Sequence, residues 1–252
     1  MPATLYCLEL GEPAAPGLVL LHGLGMGHRM WQPQLEALSV SFHVLAPDLP
    51  GFARSAAAGP FTLELAAART GDLIEQRLGG HAHVCGLSLG AMTAIVLAGT
   101  LPGSVEGLVL SGAQVRPNRL VGTLQAAAFS LMPGERLVKG LSSFVPPGHP
   151  DLTEMARDDL RATGKPGLLT AVRQAGRADL RPILGRISAP TLVVCGERDR
   201  FNLKASRDIA AAINGASLKI VTDVGHVWNL EAPTLFTDTV TEFFGDKPLA
   251  HG

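Results

Sequence analysis

A serine set between two glycines is the clearest chemical signal in this sequence. The segment Gly86-Leu87-Ser88-Leu89-Gly90 follows an apolar run that predicts a strand and opens an apolar run that predicts a helix. A Gly-x-Ser-x-Gly at such a turn projects the hydroxyl from the sheet edge, and the flanking residues must be small to avoid a clash. The positive N-terminal end of the helix favours negative charge that develops beside the serine. We therefore interpret Ser88 as a candidate nucleophile.

A serine hydroxyl is a weak nucleophile at neutral pH, so a base must accept its proton. His226 is the strongest candidate among the eight histidines of the chain. It follows a predicted strand at 217–221 and precedes the last predicted helix at 233–244. That position is a carboxyl-terminal strand end, where an open α/β sheet gathers its ligand-binding groups. The sequence thus brings a base and Ser88 to the same edge of the sheet.

The base in turn needs an acid that orients it. Two acids, Glu197 and Asp199, follow the predicted strand at 191–195. Asp199 is the better candidate because its extra length of loop lets it reach towards His226. Asp223 competes for the role, but three residues before the histidine it is better placed to shape the turn. The predicted order along the chain is serine, acid, base.

A glycine-rich loop after the predicted strand at 17–22 supplies candidate donors for an oxyanion. The backbone N–H groups of Leu24, in that loop, and of Leu89, which follows the candidate nucleophile, could converge on one oxygen. Each such donor contributes about 3 kcal/mol to the transition state. We interpret His22, at the end of the strand, as a hydrogen-bonded brace of the loop.

These residues require a sheet whose strands end at a common edge. Strands are predicted at 4–10, 17–22, 42–46, 82–85, 105–110, 191–195 and 217–221, and helices at 30–38, 62–78, 89–101, 203–213 and 233–244. Strands that are apolar throughout belong to parallel sheets covered on both faces. The alternation of strands and helices predicts a doubly wound, mostly parallel α/β fold.

The alternation of strands and helices stops at 113–189. No convincing strand occurs there, and glycine and proline residues separate short helical pieces. We predict a core of residues 1–112 and 190–252 and a helical cap at 113–189, inserted before the last two strands. The cap carries nine Arg and two Lys against six acids. Charged residues solvate short helices, or else a basic cap attracts an anionic substrate. The second alternative expects the KM of a carboxylate-bearing substrate to rise with ionic strength.

Composition excludes several classes of protein. The chain has 252 residues, 46% of them hydrophobic and 17% charged, and a net charge of −1. These values exclude a disordered chain and argue against a nucleic-acid partner. The uncharged stretch at 84–105 is long enough to cross a bilayer, but its glycines favour a buried strand, turn and helix, so no membrane partner is expected.

Three scattered cysteines and the lack of a visible export signal predict a reducing, cytoplasmic location. The pair His81 and His83 could contribute to a metal site, but no third ligand at a recognisable spacing accompanies it, and we expect no metal. The sequence leaves the oligomeric state open.

These motifs together resemble the α/β-hydrolase superfamily over essentially the whole chain. Within it, the sequence is most similar to small lid-bearing serine hydrolases such as the 3-oxoadipate enol-lactonases and carboxylesterase-like members. The resemblance implies hydrolysis of a small ester or lactone through an acyl-enzyme, with no cofactor. The sequence departs from this family at Ala53, where a glycine is common, in the turn that begins at Asp48.

Two other functions use the same residues. The triad could cleave a C–C bond in a vinylogous diketone, or the scaffold could serve as a slow or inactive ligand-binding receptor. The substrate pocket is expected to be apolar, with a wall drawn from six large side chains: Met26, Phe52, Phe129, Met132, Phe144 and Trp228.

Overall fold

The computed structural model describes residues 4–116 and 119–245. The outermost parts of the predicted core, 1–3 and 246–252, and residues 117–118 of the predicted cap lie outside the described residues. Seven strands form one sheet: β1 (Cys7–Leu10), β2 (Gly17–Leu21), β3 (His43–Pro47), β4 (Ala82–Leu87), β5 (Val105–Ser111), β6 (Thr191–Gly196) and β7 (Ser217–Val221). Their order in the sheet is β1-β3-β2-β4-β5-β6-β7.

β1 pairs with β3 in the antiparallel sense, and the other strands pair in parallel. The predicted doubly wound, mostly parallel sheet is therefore confirmed. β1 begins at Cys7, three residues later than the sequence predicted. The reason is a long-range contact, because the Tyr6 N–H leaves the ladder and donates to the Ser55 hydroxyl at 2.9 Å.

Helices follow the strands in the order that the alternation predicted. They are α1 (Gln32–Ser39), α2 (Leu63–Arg77), α3 (Leu89–Thr100), α4 (Arg119–Leu131), α5 (Gly134–Ser142), α6 (Pro150–Arg177), α7 (Arg181–Leu184), α8 (Leu203–Ala212), α9 (Trp228–Glu231) and α10 (Pro233–Gly245). Helices α4 to α7 lie between β5 and β6, in the segment predicted to be a helical insertion.

β2 shows how the sheet is covered on both faces. Leu18 and Leu20 belong to one hydrophobic cluster with side chains of α1 and α10, and Val19 and Leu21 belong to a second cluster with side chains of α2 and α3. All four side chains are fully buried. Burial of each contributes about 1.5–3 kcal/mol, which explains why the run is apolar throughout.

Helix α6 is broken near its middle. Gly164 has φ 66° and ψ 161°, a conformation that glycine adopts without steric cost. Pro166 follows and cannot donate a backbone hydrogen bond. The break at Gly164 and Pro166 therefore divides α6 into two helical pieces, as the sequence predicted for this segment.

Candidate active site

Ser88 occupies a sharp turn between β4 and α3. Its φ of 56° and ψ of −112° are unusual for a residue with a side chain. Such conformations cost about 1–3 kcal/mol and persist where the surrounding structure enforces them. The Ser88 N–H donates to the Ser111 carbonyl at 2.7 Å, which continues the β4–β5 ladder into the turn. The hydroxyl is therefore presented at the carboxyl-terminal edge of the sheet.

The two glycines around Ser88 are required by close backbone contacts. A Cβ on Gly86 would lie 2.6 Å from the Ala91 nitrogen, and a Cβ on Gly90 would lie 2.0 Å from the Leu21 carbonyl oxygen. Neither contact can be relieved by a side-chain rotation, because both partners are backbone atoms. The small residues predicted for this turn are thus a steric requirement of the packing between β4, α3 and β2.

Gly90→Ala is expected to destabilise the fold by about 2–4 kcal/mol, because the added methyl group overlaps the backbone of β2. Chemical denaturation monitored by circular dichroism measures this change. Gly103→Ala is the matched control, since nothing lies within 4 Å of a Cβ at that exposed position. Equal stability of the two variants would contradict the steric argument.

Asp199 and His226 form a hydrogen-bonded pair. Asp199 follows β6, His226 lies between β7 and α9, and the Nδ1 atom of His226 is 2.7 Å from Oδ2 of Asp199. The two loops pack tightly, because a Cβ on Gly196 would lie 2.2 Å from the Gly225 carbonyl oxygen. The side chain of Asp199 is 4% exposed and that of His226 is 30% exposed. A buried carboxylate thus orients an imidazole that remains accessible to a ligand.

The two rival acids point elsewhere. Asp223 forms an exposed ion pair with Arg198 at 2.7 Å, and it adopts φ 60° in the turn before His226. Glu197 accepts a hydrogen bond from the Asp223 N–H at 3.3 Å. Asp199 is therefore the acid of these three that lies against the histidine.

Ser88 and His226 line one cavity of about 170 Å³. The loop after β2 contributes Gly23, Leu24, Gly25, Met26 and Met30, the end of β4 contributes Leu87, and the loop before α9 contributes Val227. The remaining wall comes from the insertion: Gln125 of α4, Leu141 of α5 and Phe144 after α5. The residues with potential chemistry and the helices between β5 and β6 thus enclose the same space.

The two amides predicted to bind an oxyanion lie beside the serine. Leu24 lines the cavity, and Leu89 is the first residue of α3. A Cβ on the neighbouring Gly23 would lie 3.6 Å from Cβ of Ser88, so the loop packs directly on the turn. Within the part of the chain that the structure describes, neither amide donates to a protein acceptor. Both N–H groups are therefore available to an atom bound next to the serine.

His22 stabilises the glycine-rich loop after β2 through two hydrogen bonds. The Leu49 N–H donates to Nε2 of His22 at 2.9 Å, so Nδ1 carries the proton and donates to the Gly23 carbonyl at 2.9 Å. The ring is fully buried, and burial lowers the pKa of His22 although the nearby Asp48 carboxylate acts to raise it. A neutral His22 therefore fixes the loop that carries Leu24.

This neutral histidine predicts a pH dependence of stability. The unfolded chain binds a proton at His22 below about pH 6.5, whereas the folded chain binds it only at lower pH. The free energy of unfolding is thus fully retained above that pH. It is expected to fall by up to about 1.4 kcal/mol per pH unit as the pH drops below it. Denaturation of wild type and His22→Gln between pH 5 and pH 8 measures this loss.

His22→Gln keeps an acceptor for Leu49 and should show a smaller loss of stability on acidification. His81→Gln is the control, because the side chain of His81 is 59% exposed. A pH dependence that is unchanged in His22→Gln but reduced in His81→Gln would contradict the assignment.

The six predicted pocket residues are found in three environments. Met26 and Phe144 line the cavity. Phe52 and Trp228 are buried in the two core clusters, and the indole N–H of Trp228 donates to the Ser111 hydroxyl at 2.8 Å. Phe129 and Met132 pack against the first core cluster and are not among the cavity-lining residues of the described chain. Aromatic or large side chains near a motif therefore did not by themselves identify the cavity wall.

Asn202 is a neighbour of the site that sequence reasoning missed. Its side-chain nitrogen lies 2.7 Å from Oδ2 and 2.9 Å from Oδ1 of Asp199. The segment that contains Asn202 carries no recognisable motif. Only the turn between Asp199 and α8 brings the amide to the carboxylate.

A charged contact ties α6 to the loop after β2. Arg29 donates to the Asp159 carboxylate and, at 3.2 Å, to the Met155 carbonyl. Three basic side chains of the insertion are paired at the surface: Arg157–Glu154, Arg161–Glu135 and Arg181–Asp179. Among the described side chains that line the cavity, none carries a permanent charge. Three arginines of the insertion are thus paired with acids on its own surface.

Two further sequence-based possibilities concern metals and membranes. Within residues 4–116 and 119–245, no cluster of three or more His, Cys, Asp or Glu side chains is arranged to hold a metal ion. In the same residues, none of the helices combines the length and apolar character needed to span a bilayer. The uncharged stretch at 84–105 folds as β4, the Ser88 turn and α3.

Comparison with known proteins places the chain in a family. Residues 18–239 match the alpha/beta hydrolase family. The chain is 24% identical to 3-oxoadipate enol-lactonase 1 of Acinetobacter baylyi, over 92% of this chain and 90% of that protein. It is 30% identical to the pimeloyl-[acyl-carrier protein] methyl ester esterase of Neisseria meningitidis, over 91% and 94%. The crystal structure of the enol-lactonase from Burkholderia xenovorans superposes with a TM-score of 0.85, at 30% identity and 96% coverage of each chain.

The chain therefore belongs to the alpha/beta hydrolase family. The match covers most of the chain, and the relatives and the solved structure are named as hydrolases. The family resemblance and the expectation of a hydrolase, both stated from the sequence, are confirmed.

Proposed function

We propose that this chain is a serine hydrolase that cleaves a carboxylic ester or lactone of a small molecule through an acyl-enzyme. The observation that carries the proposal is the His226–Asp199 hydrogen bond at the edge of a cavity that Ser88 also lines. Relatives named as an enol-lactonase and a methyl ester esterase support the same reaction class.

In the first half of the proposed reaction, Oγ of Ser88 attacks the carbonyl carbon while Nε2 of His226 accepts the hydroxyl proton. Nδ1–H of His226 donates to Asp199, which stabilises the imidazolium. The negative charge on the former carbonyl oxygen is bound by the amides of Leu24 and Leu89. Collapse of this intermediate breaks the ester bond, and His226 returns its proton to the leaving alkoxide.

In the second half, water replaces the alcohol. His226 removes a proton from the water as the hydroxide attacks the acyl carbon, and the same two amides bind the second oxyanion. The bond to Oγ of Ser88 then breaks, and His226 protonates that oxygen. The products are a carboxylic acid and the original enzyme, and a lactone gives both groups in one hydroxy acid.

The cavity favours a small, uncharged acyl group. Its volume of about 170 Å³ lies below the range of about 300–1,000 Å³ that is usual for drug-sized ligands. Its described walls are mainly apolar, with Gln125 as a polar side chain from the insertion. A carboxylate buried there would lose its hydration without gaining an ion pair. We therefore favour a neutral substrate over the anionic one that a basic cap would attract.

A matched pair of esters tests the proposal. p-Nitrophenyl butyrate and the p-nitrophenyl monoester of succinate present acyl chains of equal length, and the second carries a carboxylate. We expect at least about tenfold higher kcat/KM for the butyrate, with little dependence on ionic strength. A preference for the succinate ester that weakens with salt would instead support an anionic substrate. A small lactone and a ring-fission dienoate complete the panel, and turnover of the dienoate alone would overturn the ester assignment.

The state of the cysteines supports the proposed cytoplasmic location. Cys7, Cys85 and Cys195 are all free thiols. Burial, assisted by the charge of Glu9, raises the pKa of Cys7 to about 12, and burial also raises the pKa of Cys85 and Cys195. These thiols therefore behave as small apolar side chains, as expected in a reducing compartment.

A further inference from the structure

The side chain of Asn202 lies against both members of the acid–base pair. Its Nδ2 atom is 2.7 Å from Oδ2 and 2.9 Å from Oδ1 of Asp199, and 3.1 Å from Nδ1 of His226. Asn202 is 7% exposed and Asp199 is 5% exposed. Because both residues are buried, a hydrogen bond from Asn202 to the Asp199 carboxylate is stronger than the same bond at the surface.

The orientation of the Asn202 amide is fixed at both ends. A carboxylate can only accept hydrogen bonds, so the nitrogen of the amide must face Asp199. On the other side, Nε2 of Gln114 lies 2.5 Å from Oδ1 of Asn202 and 2.9 Å from the Phe201 carbonyl oxygen. Two acceptors hold that Gln114 nitrogen in place, and it in turn holds the Asn202 oxygen.

Asn202 does not make the helix-capping hydrogen bond that its position before α8 would suggest. It precedes α8 as the N-cap residue, a position where asparagine commonly accepts a hydrogen bond from the first turn of the helix. Here the side chain makes no capping hydrogen bond. The amide is turned away from α8 and towards Asp199.

The Oδ1 atom of the Asp199 carboxylate accepts its hydrogen bond from the Asn202 amide. The nearby backbone N–H groups of Asp199, Asn202 and Leu203 all donate to carbonyl oxygens. Within the described residues, the carboxylate accepts from Asn202 and His226, and only Asn202 reaches Oδ1. Loss of the amide would leave a buried carboxylate oxygen without a partner.

We propose that Asn202 is a positioning residue of the active site, which fixes the rotamer of Asp199 and shares the negative charge that Asp199 presents to His226. Gln114 supports it by fixing the amide. This inference rests on the proposed function, since the orienting role of Asp199 belongs to that proposal. Without Asn202, the carboxylate would present more charge to the ring, favour the imidazolium and be less firmly held.

Asn202→Leu tests the inference, because leucine has a similar volume and no donor. We expect kcat for p-nitrophenyl butyrate to fall at least about tenfold, while KM changes little. The acidic limb of the kcat/KM profile should move towards higher pH by about one unit, a tenfold change in the protonation equilibrium. Gln114→Met leaves the amide in place but removes its support, so it should shift the limb in the same direction by less. Lys204→Gln, two residues from Asn202 and exposed, is the control and should leave the profile unchanged.

A purely structural role for Asn202 would lower the melting temperature without moving the pH profile. A folded Asn202→Leu protein whose acidic limb coincides with that of wild type would overturn the inference, and so would a Gln114→Met limb shifted towards lower pH. Labelling with a fluorophosphonate separates this failure from failure of the proposed function. A wild-type protein that is not labelled at Ser88 would contradict the hydrolase mechanism itself, whereas normal labelling with unshifted profiles would contradict only the role of Asn202.

Discussion

Ser88→Ala is expected to lower kcat for p-nitrophenyl butyrate by about 10⁴-fold or more, because the acyl-enzyme can no longer form. The variant should keep its fold, since alanine removes only the hydroxyl oxygen and the turn is enforced by the glycines around it. The same substitution should abolish labelling by a fluorophosphonate, and mass spectrometry of the labelled wild type should locate the adduct on Ser88.

Ser41→Ala serves as the matched control, because that serine is exposed and lies outside the cavity. It should retain wild-type activity and labelling. A loss of less than tenfold in Ser88→Ala would show that another group attacks the ester. Strong ester binding without turnover or labelling in the wild type would instead favour the ligand-binding receptor.

Asp199→Asn is the second substitution with a large expected effect, a loss of about 10³–10⁴-fold in kcat. The amide keeps the shape of the carboxylate but presents no full negative charge to the imidazolium, and its nitrogen can force the wrong tautomer of His226. KM should change much less, because Asp199 does not line the cavity. Steady-state kinetics at several pH values measure both parameters.

The rival acids provide the controls for this substitution. Glu197→Gln and Asp223→Asn remove carboxylates from the same pair of loops, and both residues are exposed. Surface ion pairs contribute little to stability, so both variants should fold normally. Their kcat values should stay within about threefold of wild type. A larger loss in either control than in Asp199→Asn would reassign the orienting acid.

Much of the fold could be predicted because the apolar pattern of each strand indicates whether one or both of its faces are buried. A run such as Gly17–Leu21 is apolar at every position, and only a sheet covered on both faces buries all of it. The first strand was less predictable. Its start depends on the contact between Tyr6 and Ser55, residues separated by 49 positions in the chain.

The residues with potential chemistry were predictable because their positions at strand ends limit where they can lie. Ser88, Asp199 and His226 each follow a parallel strand of one sheet, so topology alone brings them to one edge. Asn202 and Gln114 were not predictable, because their roles depend on the direction of two side-chain amides. Nothing in the local sequence encodes that direction.

The cavity wall was predicted least well. Phe52 is apolar and close to a recognised motif, yet it packs edge-on against His22 and Phe61 within the core. Gln125 is polar, yet it lines the cavity from the insertion. The orientation of α4 and α5 over the sheet decides which side chains face the serine, and helical periodicity alone does not reveal that orientation.

Ala53 adopts a backbone conformation that glycine adopts without steric cost. Its φ of 43° is positive, which is uncommon for a residue with a side chain. The Ala53 N–H donates to the Thr163 hydroxyl at 3.0 Å, so the turn is held by α6. The strain at Ala53 is thus supported by a contact from the insertion.

The separate origins of the two halves of the cavity have a consequence for evolution and engineering. Ser88, Asp199 and His226 are supplied by the sheet edge, whereas Gln125, Leu141 and Phe144 come from a continuous stretch of fewer than thirty residues. Exchange of that stretch between relatives would combine an unchanged Ser88, Asp199 and His226 with a new wall of the cavity. Under the proposed mechanism, such an exchange is expected to change the substrate preference while Ser88, Asp199 and His226 keep their positions.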